Sequence, residues 1–367
     1  MTVIIKPTYQ CNFRCSYCYL TNQTKSDNSM MTLTLAKRII DNLVRLPNLH
    51  ALHKGLTLIW HGGEPLLWGI ENYRRIFAYT EKFRNKVSIR HAIQTNLSLI
   101  NEEYIELFLD YNVRVGFSLD GPKELNDACR KKIDGSGTYD TIMENLYKCR
   151  DAGLSIGAII VAGSAFKSRI PELYRFVCDH KLNFKFNPLF VSGEANDRKE
   201  LSLTPIEYAR MSIELFDLWF FDRKNQIMES TFLDIACAFL PENRRIKGCM
   251  FSKNCQDNFM AISPRGDIFP CGRFCDTDTT NSYGNIRSET LETILQRRKT
   301  FAQYKRAEII NNSGCNDCSF FNICHGGCLH DGYLSTGTFE SKTLLCVAYK
   351  MIFTHIQKRV QEIIPLD

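Results

Sequence analysis

The sequence has no apolar run long enough to span a bilayer, which excludes a helical membrane protein. It has no block of like charges. Its 46 Lys and Arg against 40 Asp and Glu leave a net charge of +6, spread along the chain. Nucleic acid is therefore not a favoured partner, while an acidic peptide suits the mild positive balance. No internal repeat and no low-complexity segment is present, which excludes a solenoid or a compositionally biased tail. The opening MTVIIKPTYQCN has no basic region before its apolar run and no small-residue cleavage site. It reads as a first strand rather than a signal peptide, and a cytoplasmic location is expected. With 367 residues of ordinary globular composition, the chain can form one barrel-sized domain and a smaller attachment.

Cysteine, by contrast, is abundant, with 16 residues. In a reducing compartment these are expected to be metal ligands rather than disulfides. Their distribution is uneven. Cys11, Cys15 and Cys18 lie together near the start. Cys249, Cys255, Cys271, Cys315, Cys318, Cys324, Cys328 and Cys346 crowd the last third, with Cys275 as an extra among them. Cys129, Cys149, Cys178 and Cys237 are isolated and read as small hydrophobes.

The first two-thirds alternates β-branched apolar runs with helical patterns. Strands are expected at Val3–Pro7, Leu56–Trp60, Val87–Ile93, Val113–Leu119, Ser155–Val161 and Asn183–Phe190. Leu33, Ala36, Ile40 and Leu43 recur at helical spacing. A further helix has a marked start: Thr204 as cap, Pro205 in the first position, and Glu207 closing a capping box. Six strand–helix units in a row imply an α/β fold with parallel strands and right-handed crossovers. An open partial barrel and a doubly wound sheet both satisfy the pattern, and in either the chemistry belongs at the carboxyl ends of the strands. The pattern changes past Arg223. We expect residues 1–225 to form the barrel and 235–350 a loop-rich second domain stabilised by metal clusters, with 351–367 as a closing helix.

Cys11-Asn-Phe-Arg-Cys15-Ser-Tyr-Cys18 follows the first strand directly. Three thiolates can hold three irons of a [4Fe–4S] cube and leave the fourth iron open for a cofactor. A zinc site is the other reading, but structural zinc takes four protein ligands. This CxxxCxxC spacing, followed by the aromatic Tyr19, resembles the signature of the radical S-adenosylmethionine (radical SAM) superfamily. His61-Gly62-Gly63-Glu64-Pro65 is similar to that family's GGEP motif. The resemblance implies that this strand end and Glu64 bind the amino group of S-adenosylmethionine. It further implies that Ser118 and Arg130 contact its carboxylate or ribose, that Tyr19 packs near the adenine, and that Asp120 faces substrate. Gln94-Thr95-Asn96 ends the third strand at the same mouth. Asp120-Gly121-Pro122 also fits a plain turn.

Eight late thiolates suffice for two more [4Fe–4S] cubes; a zinc ribbon is the alternative for the CxxC pair. Their order and spacing resemble the SPASM domain of the superfamily. By that resemblance Cys249, Cys255, Cys271 and Cys328 hold one auxiliary cluster, and Cys315, Cys318, Cys324 and Cys346 the other. Cys275 is read as free. His325 and His330 are either ligands or substrate contacts, or surface residues.

The implied architecture is a partial (β/α)6 barrel with a C-terminal iron–sulfur domain. The implied cofactors are three [4Fe–4S] clusters and S-adenosylmethionine. The layout, including Leu215–Trp219 and Tyr283–Ile286, resembles the anaerobic sulfatase-maturing enzymes and their ribosomal-peptide-maturing relatives. In the former an aspartate, proposed as base, follows the third auxiliary cysteine. Here Gly272 stands in that place, and Asp276 is the nearest carboxylate. That departure points to crosslinking of a ribosomally made peptide, with conversion of cysteine or serine to formylglycine as the alternative. A flavodoxin or ferredoxin is the expected electron donor. A multicluster electron carrier and a zinc-stabilised binding module are the rivals from other classes.

Overall fold

A computed structural model describes residues 1–47, 55–240, 246, 248–277 and 279–363. Six strands, β1 (Thr2–Ile5), β2 (Leu56–Trp60), β3 (Ile89–Thr95), β4 (Arg114–Ser118), β5 (Ile156–Ala162) and β6 (Phe184–Pro188), pair in parallel, each beside its sequence neighbour. A doubly wound sheet reverses its order at a switch point. This order runs from one to six without reversal, and β6 does not return to β1, so the barrel is open. Helices α1 (Leu33–Val44), α2 (Ile70–Glu81), α3 (Glu102–Asp110), α4 (Tyr139–Asp151) and α5 (Ile170–Asp179) make the crossovers. Helix α6 (Pro205–Phe221) follows β6, and its Thr204–Glu207 capping box is formed.

Strand alternation sorts the side chains. Val3, Ile5, Leu58, Trp60, Ile93, Phe117, Ile160 and Phe186 are buried, and they pack with α1–α6 in one core. Their alternates include Gln94, Ser118, Lys185 and Asn187, which are only half-buried. By the two-residue period these face the concave side. One face thus builds the fold and the other is left for ligands.

The sheet continues beyond β1 into the cysteine-rich region. Strand β7 (Phe259–Ile262) pairs in parallel with β1, from Thr2↔Phe259 to Ile5↔Ile262. Then β8 (Asp267–Phe269) and β9 (Gly284–Asn285) add antiparallel. The C-terminal part is therefore joined to the barrel edge by main-chain pairing. Helix α7 (Gly272–Thr277) follows β8. Helix α8 (Cys346–Ile363) starts five residues before the expected 351, so its first residue is the last expected ligand. It docks on α6, where Asp217 accepts from Arg359 at 3.2 Å and pairs with His355 at 2.7 Å. Residues 364–367 of the expected closing segment lie outside the described residues. No described helix is long and apolar enough to cross a membrane.

Candidate active site and cluster sites

The loop carrying Cys11, Cys15 and Cys18 leaves β1 at the carboxyl end of the sheet. The three thiols act on one another electrostatically, and burial pushes all three up, Cys15 to about 11 against the pull of Arg130. The loop is held from three sides. Arg14 and Ser16 amides donate to Lys131 and Cys129 carbonyls. The Asn96 amide, at the end of β3, reaches Cys11 Sγ at 3.8 Å and Asn12 Oδ1 at 2.8 Å. Beyond β6, the Glu194 amide donates to the Cys18 carbonyl at 2.9 Å. Gly193 lies so close that a Cβ there would sit 2.4 Å from the Leu20 oxygen. Cys129 is near Cys15, but it bonds Ser16 and faces Asp120 and Arg130.

The glycines of the His61–Pro65 turn pack on this same loop. A Cβ on Gly62 would be 2.1 Å from the Thr8 oxygen, and one on Gly63 2.3 Å from both the Tyr9 and Gln10 oxygens. The Gly63 and Glu64 amides donate to Thr8 and Gln10 carbonyls. The pair of glycines is thus needed for contact between backbone and cluster loop, which close approach to a ligand alone does not capture. Glu64 has no exposure, and it accepts from Leu66 N at 3.0 Å, Thr95 Oγ1 at 2.7 Å and Asn96 N at 2.7 Å. Burial raises its carboxyl to about 7. It ties the end of β2 to the end of β3. Pro65 starts the short 3-10 turn Pro65–Trp68 that Glu64 caps.

Ser118 ends β4 and accepts from Gln94 Nε2 at 3.3 Å. Asp120 and Arg130, expected to meet substrate and cofactor separately, bind each other. Arg130 Nε and Nη2 donate to Asp120 at 2.9 and 3.2 Å, both residues being buried. The Val161 amide and the Tyr17 hydroxyl donate to the same carboxylate, and Arg130 lies over the Tyr17 ring. With both oxygens engaged, the Asp120 carboxylate holds Arg130 in place.

A second polar group lies between the barrel and α7. Lys6, just past β1, is buried and pairs with buried Asp276 at 2.6 Å through Oδ2; Asp276 Oδ1 has no hydrogen-bond partner among the described residues. Burial raises the Asp276 carboxyl to about 6, against the pull of Lys6. His61 is lowered to about 3 by burial and by Lys6, so its ring is neutral. Its Nδ1 accepts from the Gly62 amide at 2.6 Å, leaving Nε2 3.5 Å from the Tyr19 hydroxyl. Tyr19 is thus turned toward His61 and feels Asp276 most among its charged neighbours.

The late cysteines lie in two neighbourhoods. Cys255 feels Cys249, Cys271 and Cys328, while Cys324 feels Cys346, Cys315 and Cys318. The second group lines one cavity with Phe320, Phe321 and Lys342. Arg273 Nη1 reaches Cys328 Sγ at 3.5 Å and its guanidinium stacks on Phe190, linking the first group to the loop after β6. Cys275 is buried, and its sulfur and carbonyl both meet the Tyr9 hydroxyl, at 3.0 and 2.9 Å. His330 is buried rather than at the surface, with Nε2 on Thr277, and His325 Nδ1 meets the Phe251 carbonyl at 2.9 Å. Sequence reasoning named His61 and Asn96 within their motifs but gave them no role, and it missed Lys6, Tyr17, Gly193 and Arg273; of these only Tyr17, inside the first cysteine motif, carried a signal.

Residues 5–177 match the Radical SAM superfamily, and residues 249–319 match its SPASM iron-sulfur cluster-binding domain. The chain belongs to the radical SAM superfamily. The enzyme is 26% identical over 366 residues to the cysteine-type anaerobic sulfatase-maturating enzyme of Clostridium novyi (strain NT), covering 96% of this chain and 94% of that one. Its fold is that of native anSMEcpe with bound AdoMet and Cp18Cys peptide, at a TM-score of 0.85 and 22% identity over 99% of this chain and 98% of that chain. Streptococcus suis SuiB bound to precursor peptide SuiA is similar at a TM-score of 0.65 and 19% identity, over 94% of this chain and 75% of that one.

As a radical SAM enzyme with a SPASM domain, it uses S-adenosylmethionine and iron–sulfur clusters. The donor sets fit. They comprise one group of three thiols and two of four. Among the described residues no three Cys, His, Asp or Glu converge tightly enough to hold a single metal ion. A four-iron cube instead takes its thiolates at separate corners. Burial resists free thiolates at Cys11, Cys15, Cys18, Cys255, Cys271, Cys324 and Cys328, so loading with iron releases protons there and adds folding energy.

Proposed function

We propose that this enzyme oxidises a cysteine or serine side chain of a peptide or protein at the barrel mouth. The observation that carries this reading is the placement of Asp276. It lies four residues after Gly272, on the same face of α7. A Cβ on Gly272 would point at Ile4 and the Lys6 ε-carbon, and Asp276 reaches the Lys6 ammonium itself. The carboxylate absent at position 272 is thus replaced one helical turn later. A carboxylate one helical turn from Gly272 supports this reading over crosslinking.

In this reading Cys11, Cys15 and Cys18 hold the first cluster and leave one iron open, while the two late groups hold auxiliary clusters. These residues would hold their clusters, and S-adenosylmethionine bound beside the first would supply one-electron chemistry able to remove a hydrogen from an unactivated C–H. The main chain of Gly62 and Gly63, with Ser118 and Arg130, receives the amino-acid end of the cofactor. Asp120 fixes Arg130. Tyr19 and neutral His61 line the approach to the target side chain. Asp276, held through one oxygen by Lys6, would offer the other to the thiol or hydroxyl proton, and the electron left on the substrate radical would pass to an auxiliary cluster; serine would then give the aldehyde directly, while water would displace hydrogen sulfide from the thioaldehyde formed from cysteine. A flavodoxin- or ferredoxin-type protein completes the proposal as electron donor.

Crosslinking of a ribosomally made peptide is the second reading, favoured by Gly272 itself. The two are separated by anaerobic incubation of the reconstituted enzyme with cysteine- or serine-containing peptides and with precursor peptides. A new hydrazide-reactive aldehyde is the expected result. Loss of two hydrogens without an aldehyde would support the second reading, and no change in any peptide would overturn both.

A further inference from the structure

Arg306 starts a one-turn helix, Arg306–Ile309, and is 6% exposed. Its guanidinium hydrogen-bonds main-chain oxygens, with Nη2 donating to Gly326 at 3.2 Å and Ser341 at 2.9 Å. Its Nε is buried without a hydrogen-bond partner among the described residues. The charged groups that act on it most are Cys328 and Cys255 of one thiol group, then Cys315 and Cys324 of the other. Gly326 stands in the chain between Cys324 and Cys328, so Arg306 is fastened to the segment that joins the two groups. The fit is close. A Cβ on Gly326, whose φ is +80°, would meet Ile310 at 2.6 Å and Arg306 Nη1 at 3.3 Å.

A buried guanidinium without a counter-ion is costly. A four-iron cluster bound by four thiolates is anionic, and its potential depends on nearby charge and on hydrogen bonds to sulfur. Arg273 serves the first auxiliary group, acting on Cys328, Cys249 and Cys271. Arg306 differs in being hydrogen-bonded to Gly326, in the segment that joins the two groups.

We propose that Arg306 is the shared counter-charge of the two auxiliary clusters and holds both at a higher reduction potential than they would otherwise have. This rests on the cluster assignment proposed above. A cation favours the state with the extra electron. An electron placed on either cluster is then stabilised by the same side chain. Arg306 is a positioning residue for charge and touches no substrate. The cluster at Cys11, Cys15 and Cys18 lies outside its reach in this scheme.

The test is a redox titration of the full, iron-loaded chain, read by electron paramagnetic resonance, with Arg306→Gln and Arg306→Lys. For the glutamine variant the reduced-to-oxidised ratio of both auxiliary clusters at a fixed potential should fall on the order of tenfold. The first cluster should not move, and the lysine variant should stay near the parent. If the glutamine variant fails to take up clusters while the lysine variant loads normally, the requirement for charge is also supported. Full loading with unchanged potentials in Arg306→Gln would overturn the proposal. So would a response from only one auxiliary cluster, or failure of both variants to load. A parent protein with fewer than three clusters would instead overturn the assignment beneath it.

Discussion

Substitution of Gly63 by alanine is expected to strip the first cluster from the enzyme while leaving both auxiliary clusters in place. The added methyl would lie 2.3 Å from two main-chain oxygens, Tyr9 and Gln10, which cannot rotate away as a side chain could. Cys11 is the next residue. The Gly63 amide also donates to the Thr8 carbonyl at 3.1 Å, so the two segments cannot separate without losing a buried hydrogen bond. The loop must therefore shift, and three thiols set for one cube would be misplaced. Overpacking of this kind costs about 1–3 kcal/mol, too little to unfold a chain with so large a core. Iron should fall from about 12 to about 8 per chain, with cleavage of S-adenosylmethionine lost. Iron and sulfide analysis with a deoxyadenosine assay checks this. Full iron and normal cleavage would show that the glycines are not needed for the cluster loop.

Replacing Asp120 by alanine should destabilise the fold by about 3–5 kcal/mol, because it leaves the Arg130 guanidinium buried and unpaired. The pair is bidentate, and the same carboxylate accepts from the Val161 amide at 3.0 Å and from Tyr17. Three elements meet there: the cluster loop through Tyr17, the end of β4 through Asp120, and β5 through Val161. Asp120→Asn should retain shape but not charge, and lose less stability. Both variants should bind S-adenosylmethionine more weakly, since the group proposed to meet its carboxylate is no longer held. Denaturant unfolding and cofactor titration together decide the matter. If Asp120 instead acted as a base on substrate, Asp120→Asn would slow turnover with cofactor affinity and stability unchanged.

Much of this was legible from residue order alone. The six strands fall within a few residues of their expected limits because β-branched runs between amphipathic stretches are strong local signals. The late cysteines stood out as a ligand set because eight of them crowd the last third of the chain. What spacing could not give was the pairing of side chains distant in sequence. Asp120 and Arg130 each look like site residues when read alone, and only folding reveals that they neutralise each other. Lys6 and Asp276 are separated by 270 positions and meet because β7 pairs beside β1. That pairing was illegible for the same reason, as a short strand in a glycine- and cysteine-rich segment carries almost no periodic signal. Glu64 shows the converse. Its motif position was evident, but its orientation depends on Thr95 and Asn96 at the end of another strand.

The whole account depends on an N-terminal cube with one iron that no side chain covers. The most direct measurement records the paramagnetic resonance spectrum of the dithionite-reduced enzyme, before and after adding S-adenosylmethionine isotopically labelled on its amino and carboxylate groups. The signal of the Cys11, Cys15 and Cys18 cluster is predicted to change shape and acquire hyperfine coupling to the label, with the auxiliary signals unmoved. A spectrum unaltered by the cofactor, in protein that holds its full iron, would contradict it.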